Sequence, residues 1–186
     1  MKNSIDNNNL RILKDEEGDK NLINSSSIIY KGSVVIKHKR KNGKETIIAR
    51  KNTGKAGLFN FLLYSLQGNP TTASMYFPAR LLAFYQDTSG TFVRNLSQTV
   101  STKGTNFIDW NSDPPNITYC FEIPRNIIIS NQPIQKIQLL SSNYDIDNPT
   151  SDYICAEIDL TSSPIEIKDE GSIIIYWTLS FSNSSK

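Results

Sequence analysis

The clearest pattern in the chain is a period-two alternation near its end. Ile173, Ile175, Trp177, Leu179 and Phe181 occupy one parity, and Ser172, Ile174, Tyr176, Thr178 and Ser180 the other. Successive side chains of a strand point to opposite faces, so the segment predicts a strand with one wholly apolar face in a core. β-Branched runs at 28–38 and 45–51 predict two further strands, and Asn42-Gly43 between them is a strong hairpin signal. A two-residue turn there sets Arg40 opposite Glu45, Lys39 opposite Thr46, His38 opposite Ile47 and Ile36 opposite Ala49. The opposite charges at 40 and 45 agree with that register.

The period then changes. Leu58, Phe59, Leu62, Leu63 and Leu66 follow the helical stripe and predict an amphipathic helix at about 55–67. Asn52 or Thr53 is expected to cap its start, and Gly68 with Pro70 to stop it. This is expected to be the only substantial helix. β patterns resume at 79–86, 117–123, 126–130, 134–142, 153–160 and 172–181, separated by Pro- and Asp-rich turns, with a long, partly irregular connection over 87–116. Parallel strands would need a helix at each crossover. The fold expected is therefore mainly β: an antiparallel, jelly-roll-like β-sandwich over 28–186 with one helix. Its core should include Leu58, Phe59, Leu62, Ile173, Ile175, Trp177, Leu179 and Phe181.

Residues 1–27 differ in character. They are rich in Asn, Asp, Lys and Ser, and only Leu10, Ile12, Leu13, Leu22 and Ile23 are candidates for burial. Such a stretch cannot offset its own ordering entropy, so it is either a disordered tail or an extended arm that orders against a neighbouring subunit.

Composition adds exclusions. A chain of 186 residues suffices for one domain, and a net charge of +2 is too small to make nucleic acid the main partner. No run of about 18 apolar residues marks a membrane span. The N-terminus, MKNSIDNNNL, lacks an apolar signal-peptide core, which argues against export by that route. Cys120 and Cys155 lie in apolar strand patterns and read as small core thiols. With one histidine they cannot complete a structural zinc site, and no cofactor is implied.

The search for chemistry returns surfaces rather than a reaction centre. His38 stands in the hairpin's alternation with no nucleophile motif beside it. The stretch "TGKAG" lacks both the leading glycine and the Ser or Thr of a phosphate loop, since Ala49 and Ala56 hold those places. Asp145, Asp147 and Asp152 supply an acidic turn, but Thr150 and Ala156 stand where a calcium loop needs Gly and Glu. Lys37, Lys39, Arg40, Lys41 and Lys44 crowd the hairpin tip, either as solvated edge charges or as a patch for an acidic partner surface. Tyr85, Tyr119 and Tyr144, with Asp109-Trp110, leave a carbohydrate-binding surface open.

The order of these segments resembles a group of small structural proteins of tailed bacteriophages, found around tail, baseplate and neck. In that group an Asn followed by a Gly opens the helix, and the chain closes on a strand with a Trp-Thr pair and a short polar tail. Asn52 with Gly57 (or Gly54), Trp177 and Thr178 occupy those places over roughly residues 46–183. Two other positions differ, with Gln86-Asp87-Thr88 in place of a Gly-x-Gly and Leu139-Leu140-Ser141 in place of a Glu-Gly-Leu-like segment. The resemblance implies a non-enzymatic homo-oligomer of the virion, made in the host bacterial cytoplasm. It would contact copies of itself and other virion proteins, with no membrane partner. Leu10, Ile12 and Leu13 of the arm and Lys37, Lys39, Arg40, Lys41 and Lys44 of the hairpin are the expected assembly contacts. A capsid-surface decoration or fibre anchor, and a glycan-binding module for host surfaces, are the alternatives.

Overall fold

The structure, a computed structural model, describes residues 9–10, 27–39, 45–103, 107–109, 116–167 and 172–184. At 9–10, 27–29, 39, 107–109, 172 and 181–184 it describes the backbone alone. In chain order the strands are β1 (Asn9–Leu10), β2 (Ser27–Lys39), β3 (Glu45–Lys51), β4 (Thr53–Gly54), β5 (Pro78–Gln86) and β6 (Phe92–Arg94). There follow β7 (Val100–Ser101), β8 (Phe107–Asp109), β9 (Asn116–Ile123), β10 (Lys136–Ser141), β11 (Ile154–Asp159) and β12 (Ser172–Ser184). Helices α1 (Ala56–Leu66) and α2 (Pro70–Met75) lie between β4 and β5.

The strands form two antiparallel sheets. Sheet A runs β1-β2-β12-β9-β8, with β3 on the same side of β2 as β1, and sheet B runs β4-β11-β10-β5-β6, with β7 beside β5. One hydrophobic cluster joins Val34, Phe121 and Trp177 of sheet A to Leu81, Ile137 and Ala156 of sheet B, as in a sandwich. The closing strand is central: β12 pairs with β2 over its full length, Ser172 opposite Lys39 to Ser184 opposite Ser27, and with β9 on its other side. Ile173, Ile175, Trp177 and Leu179 are buried as the alternation predicts, while the side chain of Phe181 lies outside the described residues.

Several expectations are corrected. The hairpin register differs by one residue: Lys39, not Arg40, faces Glu45, and His38 faces Thr46, Ile36 faces Ile48. The Asn42-Gly43 turn itself lies outside the described residues, and the register keeps Ile48 on the core-facing parity with Ile36. A one-residue slip would have turned that whole face outward. The segment at 126–130 is not a strand but a 3-10 turn, Arg125–Ile127, followed by a single bridge from Ile128 to Leu96. Pro124 heads that turn and supplies no ladder donor. The connection over 87–116 contains β6, β7 and β8. Its first turn is set by Asp87, whose Oδ1 accepts the N–H groups of Ser89 and Thr91, both at 2.9 Å.

The helical region holds two helices rather than one. Gly68, at φ 67°, ends α1 as expected. Asn69 then caps α2 by accepting the Thr72 N–H at 3.1 Å, with Pro70 at the first helical position. Pro70 thus begins a helix as well as following one, because its missing N–H is an orphan there anyway. Leu58 and Phe59 are buried, but Leu62 is only half-buried. The start of α1 has no side-chain cap: Lys55 occupies that place in extended conformation, and Asn52 is engaged elsewhere.

Candidate interaction site

The outer face of sheet B carries a groove of about 470 Å³. Register builds it. The turn at Asp87 pairs Phe84 with Arg94 and Gln86 with Phe92, while β10 sets Lys136 against Phe84 and Gln138 against Leu82. Side chains of one parity on three strands therefore share one face. Leu82, Phe84, Phe92 and Ile154 form an apolar floor, and Tyr144, Ile146 and Pro149 from the loop after β10 form a wall.

Cations are set into that floor. Lys136 Nζ lies 4.4 Å from the Phe92 ring centroid and 5.6 Å from that of Phe84, so both rings face the ammonium. Glu157 anchors the other side, 2.6 Å from Lys55 and 3.9 Å from Lys136, and accepts from Gln138 Nε2 at 3.2 Å. Partial burial raises the Glu157 pKa, but the bonds from Lys55 and Gln138 and the two nearby ammonium groups outweigh it and hold the carboxyl below the usual glutamate value. Arg94 lines the same groove and forms no ion pair among the described residues. The arrangement can hold an apolar surface that also brings negative charge.

A second constellation joins the helix entry to the closing strand. The Asn52 amide donates to Tyr30 Oη, and its carbonyl oxygen accepts from Trp177 Nε1 at 2.7 Å and from the Ser33 N–H at 3.2 Å. A Cβ on Gly32 would collide with both Asn52 and Tyr30. Burial pushes the Tyr30 phenol well above its ordinary pKa, so it remains a neutral hydroxyl here. The junction is half-buried, beside an open cleft of about 370 Å³, and offers no reactive group.

Among the described residues, those singled out by sequence do not converge on one site. Lys37 is half-buried on sheet A, its Nζ 5.4 Å from the Tyr176 ring centroid. The Lys39 backbone pairs with Glu45, and the Leu10 backbone with Ile28. Ile12, Leu13, Arg40, Lys41 and Lys44 lie outside the described residues. Asp145 accepts from Asn148 Nδ2 at 3.0 Å and the Asp147 N–H at 2.9 Å, which lowers its pKa and marks a self-contained turn. Asp147 and Asp152 are exposed, and among the described residues no three His, Cys, Asp or Glu side chains converge to hold a metal. His38 is buried on the core-facing parity of β2.

Cys155 is buried, which pushes its thiol up, but Cys120 sits half-buried on the outer face of sheet A, so only one of the two is a core thiol. Both are free. Tyr119 and Tyr144 are only 2% and 5% exposed, so they do not supply the accessible aromatic row that a glycan-binding surface would need. Sequence reasoning missed Phe84, Phe92, Arg94 and Lys136. The turn at Asp87 was their one local signal, because it alone sets Phe84 against Arg94. No family model, no characterised protein and no solved structure matches the chain.

Proposed function

We propose that the chain is a non-enzymatic structural subunit of a tailed bacteriophage virion, multimerising in the tail or neck. The observation that carries this reading is the groove over sheet B, where an apolar floor of rings and aliphatic side chains holds Lys136 and Arg94. Interface centres favour aromatic side chains and arginine, and a cationic rim steers an acidic partner into register. The sandwich around it is a stiff block, since β12 is paired on both sides and buried along one face. The virion class itself rests on the resemblance at Asn52, Gly57, Trp177 and Thr178.

Antibody labelling of purified particles of the parent virus, viewed by electron microscopy, tests the reading. Label on the tail or neck supports it. Label scattered on the head favours a capsid decoration or fibre anchor, and absence from particles removes the virion role. Deleting residues 1–27 is expected to abolish assembly while the remaining chain stays folded. The same oligomer from the truncated protein would place the contacts away from the arm.

A further inference from the structure

We infer that β3 is a self-complementary edge through which two copies of this chain pair about a two-fold axis. Among the described residues β3 is the longest strand at a sheet edge, and β2 is its only partner. An open edge presents backbone groups to any strand of matching length and side-chain order, and the one the Arg50 guanidinium holds, the Ala49 carbonyl at 2.9 Å, would pass to an incoming strand. Its odd positions, Glu45, Ile47, Ala49 and Lys51, are all exposed, and Ile47 is 61% exposed, the most exposed large apolar side chain among the described residues. Its even positions Ile48 and Arg50 are half-buried, on the side where Ile36 and Val34 enter the core.

Reversed about Ile48, the sequence ETIIARK sets complementary rather than identical residues opposite each other, with Thr46 against Arg50. Antiparallel pairing centred there sets Glu45 of one copy opposite Lys51 of the other, twice. It also sets Ile47 opposite Ala49, twice, and Ile48 opposite Ile48. Opposite charges facing each other across strands are favourable, and each large Ile47 meets a small Ala49 that leaves it room. Two-fold pairing uses one patch on both copies, as an isologous interface requires. It also sends the two Glu45 ends to opposite ends of the joint, about 20 Å apart for a strand of this length. A parallel pairing would face Glu45 with Glu45.

This inference deepens the assembly reading, on which it rests, by naming the surface and its partner. Sedimentation velocity of the full chain over a concentration series tests it. A dimer is expected whose dissociation constant rises at least tenfold, about 1.4 kcal/mol, in Ile47→Lys and in Lys51→Glu, both still folded by circular dichroism. Glu45→Lys combined with Lys51→Glu should recover most of the loss. In a Cys120→Ser background, Ile48→Cys should form an intermolecular disulfide on mild oxidation, and Lys51→Cys should not. A dimer indifferent to both single variants, or a monomer at all concentrations, overturns the inference. A larger oligomer untouched by these variants also overturns it while leaving the assembly reading standing. A monomer that is also absent from particles removes both.

Discussion

β12 and β3 belong to the same sheet and both carry β-branched residues, yet they face opposite circumstances. β12 has a neighbour along each side and one parity in the core, so its backbone groups and its apolar face are both satisfied. Among the described residues β3 has a neighbour along one side, and Ile47 is left exposed. The first arrangement makes stability, and the second makes a surface with something left to bind. A subunit that must hold its shape while joining others needs both kinds of strand.

Substitutions should separate the two roles, beginning with the largest effect. Trp177→Ala removes a fully buried ring and the donor that holds Asn52, so a loss of about 3–5 kcal/mol is expected in denaturant unfolding. An unchanged midpoint would contradict the central placement of β12. Gly57→Ala comes next. In a helix, alanine alone would help, but a Cβ at residue 57 would meet the Ile154 backbone at 2.9 Å. A net loss of about 1–3 kcal/mol is expected, and a gain would show that α1 is free to lift away from β11.

Acid should reveal Glu157 more modestly. Its carboxyl is held below the ordinary value of 4.5, so its contribution is complete above that pH and is lost as pH falls toward the depressed folded value. Glu157→Gln should lower stability at neutral pH by about 1 kcal/mol and flatten the acid limb of the stability curve. Identical acid limbs would mean that the contacts to Lys55 and Gln138 contribute nothing. Smallest for folding is Ile47→Lys, expected to shift unfolding by less than about 0.5 kcal/mol while weakening association. A large folding loss would mean that Ile47 is packed within the chain, which would erase the contrast between β3 and β12.

Much of this fold can be read from pattern. The alternation at 173–181, the helix over Leu58 and the strands at 79–86, 117–123, 134–142 and 153–160 all stand close to where periodicity sets them. The misses share a cause: residues with two meanings. Pro70 both follows a helix and starts one, Pro124 turns an apolar run into a 3-10 turn, and Asn52 leaves a capping role for Trp177. Local sequence offers each option, and packing selects between them. The groove was less legible, because the Asp87 turn brings only Phe92 and Arg94 beside Phe84, while Lys136 joins them through a ladder between strands distant in the chain.

By itself the sequence determined which faces are apolar, because side-chain direction in strands and helices follows from backbone geometry alone. Tertiary structure decided the hairpin register, the burial of Tyr119 and Tyr144, and which strand remains at an edge. Those outcomes depend on packing against, or pairing with, segments far apart in the chain. Their free energies appear only once the partners are in place, so no local stretch of residues encodes them.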